Sequence, residues 1–150
     1  MQQNLPFSTI KVLVDGTEYK ASEHKIYKAV MLNDVPNFGF VFGYTNASWT
    51  LKADIASYYF TQMMNYMRDN NIVKMMPVVD PDQEYSWEPL SGGLTAGYLQ
   101  RAAKWMPKIG NRQPWSGGNY LKDFITLTLQ GFNTDSLHIQ YRNSKENKCL

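Results

Sequence analysis

The alternation of apolar and polar positions predicts short strands near both ends of the chain. Residues 10–14 and 17–20 are rich in β-prone residues and are separated by Asp15-Gly16. Because both turn residues tolerate a positive φ, this pattern predicts a β-hairpin over about residues 9–21. Residues 137–141 alternate in the same way and predict a last short strand.

Between these strands, two apolar runs predict further strands and one long run predicts a helix. Residues 26–32 form a strand-like run, and residues 38–44 are apolar on both faces, as is typical of a strand covered on both sides in an α/β layer structure. Residues 45–48 then hold three residues of the kinds favoured as helix N-caps. From about residue 50 to residue 69, apolar side chains recur at four-residue spacing and predict an amphipathic helix (Leu51, Ile55, Tyr59, Met63 and Met67).

The second half of the chain predicts mostly helix and loop. Residues 77–93 are rich in proline, glycine and acids and predict a long surface connection, and residues 108–118 predict another loop. Residues 94–106 have the periodicity of a helix, and residues 120–130 predict a shorter helical segment that Gly131 ends. We therefore expect an α/β fold (α+β as an isolated piece), with an N-terminal β-hairpin and strands, a strand-loop-helix unit and a mostly helical C-terminal extension.

The strand-loop-helix unit at residues 38–69 is the clearest candidate for a binding site. Gly43 would let a ligand approach the backbone closely, and the first N–H groups of the helix carry about half a positive charge, so this end favours a negatively charged group. Many α/β folds contain the same unit without a ligand, and in that interpretation Ser48 is only an N-cap. The sequence contains no Gly-x-Gly-x-x-Gly motif, so it predicts no phosphate-cradling loop.

Length and composition limit the other functions that the chain can have. With 150 residues, 43% of them hydrophobic, the chain can form one domain with a hydrophobic core. Its one cysteine, Cys149, excludes an internal disulfide, and together with the two histidines, His24 and His138, it offers no metal-ligand spacing, so we expect no metal. The first residues lack the pattern of a signal peptide and no run approaches the length of a membrane span, so we expect a cytoplasmic protein with no transmembrane segment.

The net charge of +2 is unevenly distributed along the chain. Residues 1–93 carry 7 Lys and Arg against 10 Asp and Glu, whereas residues 94–150 carry 8 against 3. The cations of residues 101–122 are interleaved with aromatic residues, a pattern that could serve nucleic-acid binding. So few cations suit a solvated surface over core aromatics better, and we expect no nucleic-acid partner.

Several runs of this sequence resemble one family. The longest covers residues 43–54, Gly-Tyr-Thr-Asn-Ala-Ser-Trp-Thr-Leu-Lys-Ala-Asp. The shorter runs are Pro36-Asn37-Phe38, Gly97-Tyr98-Leu99-Gln100-Arg101-Ala102, Pro107-Lys108, Pro114-Trp115 and Asn119-Tyr120-Leu121-Lys122-Asp123. Together they are similar to the C-terminal part of flavin-containing monooxygenases of the Baeyer–Villiger type, with the ethionamide-activating monooxygenases as the closest subgroup. The resemblance extends from about Ile10 to Arg142.

The resemblance implies a place in a larger architecture. Residues 1–70 would form the C-terminal end of a Rossmann-like FAD-binding domain, and residues 71–150 a helical C-terminal extension. The reaction that the resemblance implies is reduction of FAD by NADPH and capture of O2 as a flavin peroxide. Oxygen is then inserted beside a carbonyl of a small organic substrate, or transferred to sulfur or nitrogen.

The resemblance also assigns roles to the loop and the helix start. Cofactor-binding residues would be Gly43, Ser48, Trp49, Thr50 and Leu51, with the backbone N–H groups of the helix start directed at the pyrimidine edge of the flavin. That position suits the N1–C2=O edge, which gains negative charge on reduction. The substrate side would be lined by the loop residues Asn46, Ala47 and Trp49.

Other motifs of this family are missing from the sequence. The FAD phosphate-binding motif, the NADPH motif and the Phe-x-Gly-x-x-x-His-x-x-x-Trp fingerprint are absent, and no residue matches the active-site arginine, since Arg101 and Arg112 fall in the extension. The catalytic residues are therefore unknown. We expect a C-terminal piece that is inactive by itself and binds neither FAD nor NADPH tightly, and whose partner is the missing N-terminal FAD- and NADP-binding part. The alternative is a non-catalytic α+β interaction domain, a remnant of such an enzyme.

Overall fold

The structure, a computed structural model, describes residues 11–44, 47–90 and 103–142. Within these ranges the chain is an α+β unit with the following elements: β1 (Val12–Val14), β2 (Thr17–Tyr19), β3 (Ile26–Tyr27), β4 (Met31–Leu32), α1 (Trp49–Asp69), β5 (Ile72–Pro77), β6 (Trp87–Pro89), β7 (Lys108–Gly110), α2 (Tyr120–Phe124) and β8 (Leu137–Tyr141). α2 continues as a π-helical turn over Ile125–Leu129. The strands pair antiparallel in four two-stranded sheets, β1–β2, β3–β4, β5–β8 and β6–β7.

The predicted N-terminal hairpin is confirmed. β1 and β2 pair with Val14 opposite Thr17, which leaves Asp15 and Gly16 as the two turn residues. Their φ angles are 50° and 82°, the left-handed conformation that made this pair a hairpin signal. One face of the hairpin covers a small buried cluster (Ile26, Ala29, Leu32 and Val35).

The prediction of one continuous strand over residues 26–32 is wrong, because the chain reverses in its middle. Lys28 and Ala29 both have positive φ angles, 49° and 57°, and Val30 N–H donates to the Tyr27 carbonyl at 3.0 Å. The run is therefore a hairpin between β3 and β4. Neither turn residue is glycine, so local sequence gave no turn signal.

Residues 38–44 do not form the predicted strand covered on both faces. Within the described residues, their pairing is a bridge between Gly39 and Met31, and the side chain of Val41 is 43% exposed. Asn37, with a φ of 53°, turns the chain just before this segment. A strand covered on both faces belongs to a sheet that is packed between two layers, and the sheets of the described residues do not include this segment. The predicted strand at the start of the strand-loop-helix unit is thus replaced by a loop, and the sheets of residues 11–44, 47–90 and 103–142 are not arranged as in a Rossmann-like domain.

Asn37 ties this loop to β5 in the manner of a neighbouring strand. Its side-chain Oδ1 accepts from Met75 N–H at 2.9 Å, its Nδ2 donates to the Val73 carbonyl at 2.9 Å, and its own N–H donates to the Met75 carbonyl. These bonds satisfy one edge of β5, while β8 pairs along the other edge. The Pro36-Asn37-Phe38 run thus positions the loop that leads to α1.

The long helix is confirmed, and most of its buried face lies on the predicted stripe. α1 begins at Trp49 and ends at Asp69, and its buried residues are Lys52, Ile55, Ala56, Tyr59 and Met63. Leu51, which the stripe placed inside, is only half-buried. The helix packs against β5 and the π-helical turn.

The second half differs from the mostly helical expectation. The predicted connection over residues 77–93 contains β6, and the predicted loop over residues 108–118 begins with β7, which pairs with β6. The helical segment at residues 120–130 and the last strand are confirmed, and Gly131 follows with a φ of 72°. Most of the predicted helix at residues 94–106 lies outside the described residues, and residues 103–105 form a turn.

One buried cluster joins residues from before and after position 70. Tyr27, Ile55 and Tyr59 contact residues of β5, α2's π-helical continuation and the segment after β7. The later residues of this cluster are Ile72, Met75, Trp115 and Leu127. The two halves therefore share one core, which fixes α1 against α2.

Candidate functional site

The first turn of α1 is capped and exposed. Ser48, predicted among the N-cap candidates, is the N-cap: its backbone is extended and its Oγ accepts from Thr50 N–H at 3.3 Å. The Ser48 Oγ and Thr50 Oγ1 atoms also lie 2.7 Å apart. Ser48, Trp49 and Thr50 are all exposed, so the N–H groups of this turn lie at the surface of the described structure.

Gly43 lies against the side chain of Trp49. A Cβ atom on Gly43 would overlap the Trp49 indole, so only glycine fits beneath this ring without a shift. The ring of Phe42 lies beside the same indole, with centroids 5.5 Å apart. The close approach expected at Gly43 is therefore made, in this structure, by Trp49, whose side chain is still 56% exposed.

The predicted site residues fall into three groups. Gly43 and Trp49 are in contact, and Ser48 is joined to Thr50 by hydrogen bonds. Leu51 and Ala47 are each half-buried. The predicted substrate-side residue Asn46 lies outside the described residues.

A buried group of three side chains underlies this helix start, and sequence reasoning missed it. Lys52 Nζ donates to Asp123 Oδ2 at 2.8 Å, and the side chains of the two residues are 1% and 2% exposed. The Tyr44 hydroxyl donates to the same carboxylate oxygen at 3.0 Å. Lys52 comes from the first turns of α1, Asp123 from α2 and Tyr44 from the loop before α1. We call these three residues the buried triad.

The triad shows the electrostatics expected of buried polar groups. Burial lowers the pKa of the Lys52 ammonium, and the Asp123 carboxylate opposes this shift. Burial raises the pKa of the Tyr44 hydroxyl above its usual range, and the neighbouring Asp123 carboxylate raises it further. A buried ion pair is retained only when its geometry satisfies both charges, and here the carboxylate receives an ammonium and a hydroxyl.

The triad fixes the loop and the helix start with respect to the core. Asn119 caps α2 by accepting from Lys122 N–H at 3.2 Å, which sets the position of Asp123 one turn later. Because Asp123 binds both Tyr44 and Lys52, it holds one residue before and one residue after the exposed residues 48–50. The arrangement keeps the first N–H groups of α1 in place to bind an acceptor.

A signal for the triad was present in the sequence. Lys52 follows the spacing of the buried stripe of α1, four residues before Ala56 and seven before Tyr59. Asp123 stands likewise between the inward-facing Tyr120 and Leu127. A charged residue on each of two apolar stripes indicates a buried pair, because neither charge is stable alone in a core.

Within the described ranges, no group of three or more His, Cys, Asp or Glu residues is placed to hold a metal ion. No helix of these ranges is both long enough and apolar enough to cross a bilayer.

The sequence is similar to several known proteins. No protein-family model matches the sequence, and no solved structure matches it significantly. Over 130 residues, 86% of its length, the chain is 40% identical to the "Probable FAD-binding monooxygenase AlmA" of Acinetobacter baylyi. Over 125 residues, 83% of its length, it is 38% identical to the "FAD-containing monooxygenase EthA" of Mycolicibacterium smegmatis. It is 37% identical to EthA of Mycobacterium tuberculosis over 126 residues.

The resemblance to FAD-containing monooxygenases is confirmed. The chain spans only about a quarter of the length of these monooxygenases, 26% of AlmA and 25% of each EthA. Two of the runs that supplied the resemblance, residues 43–54 and 119–123, contain all three members of the buried triad. The triad therefore connects two separate runs that carry the likeness to FAD-containing monooxygenases.

Proposed function

We propose that this chain is the C-terminal portion of an FAD- and NADPH-dependent monooxygenase. The observation that carries the proposal is an identity of 37–40% over most of the chain to proteins named FAD-binding or FAD-containing monooxygenases. The chain spans only about a quarter of the length of these relatives, which supports a separate partner segment that holds the rest of the flavin domain. The substrate class is a small organic molecule, which receives oxygen beside a carbonyl or on sulfur or nitrogen.

In this proposal, the start of α1 is the part of the chain that contacts FAD. The backbone N–H groups at Trp49, Thr50 and Leu51 bind the pyrimidine edge of the flavin, with Ser48 as the cap and Gly43 beneath the Trp49 ring. The exposed first turn fits this role, because among the described residues Ser48 Oγ is the one acceptor recorded for these N–H groups, and it takes only that of Thr50. When bound, the flavin supplies the redox chemistry and the activation of O2.

The chain's own residues position and stabilise rather than react. The positive end of α1 favours the negative charge that the pyrimidine edge gains on reduction. The buried triad keeps this end from moving, since displacing α1 would separate Lys52 from Asp123. Asn46, Ala47 and Trp49 line the substrate side, where the exposed indole of Trp49 offers an apolar surface to an organic substrate.

The proposal divides the chain into the end of an FAD-binding domain at residues 1–70 and a C-terminal extension at residues 71–150. The loop at residues 38–44 supports this division, because its Val41 side chain is 43% exposed and its strand pairing within the described residues is one isolated bridge, between Gly39 and Met31. In the complete enzyme, strands of the N-terminal part would cover this loop.

The isolated chain is expected to be inactive and colourless. A flavin band at about 450 nm in the purified chain, at one flavin per chain, would contradict that expectation. Co-expression with an AlmA chain shortened to the segment before its matching quarter tests the proposal itself. We expect the pair to oxidise NADPH in an FAD-dependent reaction, with each part alone as the control.

A second candidate, a non-catalytic interaction domain, is favoured by one surface. The outer side of α2 and its π-helical turn exposes four large apolar side chains (Leu121, Phe124, Ile125 and Leu129). A partner chain could cover them whether or not a flavin is present. No flavin and no NADPH oxidation in a co-purifying pair would favour this second candidate.

A further inference from the structure

A pocket lies beside the β3–β4 hairpin turn, and none of the buried triad's residues lines it. Its volume is about 220 Å³, room for about seven water molecules. Six of the seven residues that line it are polar, and the seventh is Pro114: the polar ones are Lys28, Gln113, Thr126, Gln130, Asn133 and Asp135. None of them belongs to the site proposed for FAD.

Lys28 is held in this pocket by an unusual backbone. Its φ of 49° lies in the left-handed region that lysine rarely adopts, and its N–H donates to the Pro114 carbonyl at 2.6 Å. The residue is only 6% exposed. Its Nζ lies 5.4 Å from the ring centroids of both Tyr27 and Tyr59. The hairpin turn thus buries an ammonium group beside a polar pocket.

The charge of Lys28 is incompletely balanced. An ammonium has three donors, and within the described residues one is recorded in use, to Asn133 Oδ1 at 2.8 Å. No carboxylate oxygen of those residues lies within 4.0 Å of this Nζ. Burial lowers the pKa of Lys28, and Asp135 offsets only part of this shift. A ligand that brings a negative charge would complete the pairing.

The pocket also offers neutral donors. No hydrogen bond is recorded within the described residues for the side-chain amides of Gln113 and Gln130, so their Nε2 groups are free to donate. Thr126 Oγ1 donates to backbone carbonyls of α2 and is therefore not counted as a donor to a ligand. One cation with two neutral amide donors is the donor set that binds an oxyanion.

We propose that this pocket binds a small oxyanion, a carboxylate or phosphate group, with Lys28 as its ion-pair partner and Gln113 and Gln130 as amide donors. Asp135 lines the same pocket, and its carboxylate repels a bound anion. The affinity is therefore lower than it would be in a site with cations alone. The proposal is independent of the FAD-contacting role of α1.

The test is a titration of the purified chain with inorganic phosphate and, separately, with acetate. Ionic strength is held constant with chloride, and binding is followed by the amide chemical shifts of residues 28 and 130–135. We expect saturable shifts with at least one probe, and the probe that saturates identifies the class of oxyanion. Failure of both probes to saturate any shift would overturn the proposal.

Matched variants separate the pocket from general salt effects. Lys28→Met is expected to weaken binding about tenfold or more, because it removes the ion pair. Asp135→Asn is expected to strengthen binding about threefold or more, because it removes the opposing charge. Lys20→Met, at an exposed lysine, leaves the affinity unchanged. Equal affinity in wild type and Lys28→Met would contradict the proposal.

A surface variant covers the case in which Lys28→Met does not fold. Gln130 is exposed, so Gln130→Leu should keep the circular dichroism spectrum of the wild type. It is expected to lose about threefold in affinity through one missing hydrogen bond. Unchanged affinities in both Gln130→Leu and Asp135→Asn would overturn the proposal without use of Lys28→Met.

Discussion

Two lysines of the described residues, Lys28 and Lys52, are almost fully buried, and the surroundings of their ammonium groups differ. Lys52 has a carboxylate of Asp123 at 2.8 Å and lies in a closed core. Lys28 has one amide oxygen at 2.8 Å, two tyrosine rings and a pocket of about 220 Å³. The difference shows how one core uses a buried charge in two ways. The first lysine joins two helices, and the second leaves its charge available to a ligand.

Tyrosines flank both lysines, and alkaline pH is expected to produce the largest effect. Burial raises the pKa of Tyr27, Tyr44 and Tyr59 above the ordinary value of 10.0. A group whose pKa is higher in the folded state stabilises it fully below pH 10 and progressively less above it. Burial lowers the pKa of Lys28 and Lys52, so these two groups make the folded state more stable as the pH rises. Their contribution stops growing at about pH 10.5, the ordinary pKa of lysine in the unfolded chain.

Above that pH, the free energy of unfolding is expected to fall by up to about 4 kcal/mol per pH unit, since each of three tyrosines contributes about 1.4 kcal/mol. Urea unfolding at pH 9 to 12, with tyrosinate absorbance at 295 nm as a second signal, measures the fall. Ionisation of all 10 tyrosines in a chain that keeps its folded circular dichroism spectrum would contradict the expectation.

Lys52→Met is expected to cost about 3–5 kcal/mol of the free energy of unfolding, because it leaves the Asp123 carboxylate buried without its cation. Urea unfolding at pH 7 measures the loss. The double variant Lys52→Met/Asp123→Leu should recover most of it, since no charge then remains in the core. A double variant as unstable as the single one would show that packing, not charge, holds this contact.

Tyr44→Phe should have an intermediate effect. The hydroxyl donates to the buried Asp123 oxygen at 3.0 Å, and loss of a hydrogen bond to a charged group costs about 1.5–3 kcal/mol. Tyr58→Phe, at an exposed position of α1, is the matched control and should change stability little. Equal effects of the two substitutions would show that the Tyr44 hydroxyl does not stabilise the buried triad.

Lys28→Met should have the smallest effect on stability, within about 1 kcal/mol of the wild type, because no buried carboxylate loses its partner. The same urea measurement applies. A loss as large as that of Lys52→Met would mean that the two lysines are equally structural, and the comparison would fail.

The parts of the fold that local sequence encodes were predictable. The Asp15-Gly16 turn and the long periodic stripe of α1 with its Ser48 cap each carry their own signal within a few residues. The β6–β7 pairing does not, because three-residue strands about twenty positions apart have no periodicity to detect. The turn at Lys28 was missed because lysine and alanine adopt positive φ there without glycine.

The candidate site was predictable only in part. Gly43 and the Ser48 cap follow from the pattern at the helix start, whereas Trp49 was implied only by the family resemblance, and the structure brings Gly43 and Trp49 into contact. The buried triad depends on a contact between Lys52 and Asp123, which are 71 positions apart, and no local pattern states such a contact. Its signal was the presence of a charge on each of two apolar stripes.

A chimera tests most directly whether the start of α1 serves a flavin. The matching 130 residues of A. baylyi AlmA would be replaced by those of this chain. We predict a folded chimera that retains FAD at one flavin per chain with its band at about 450 nm, while the isolated chain has none. A folded chimera that loses the flavin, beside a parent AlmA that retains it, would contradict the account.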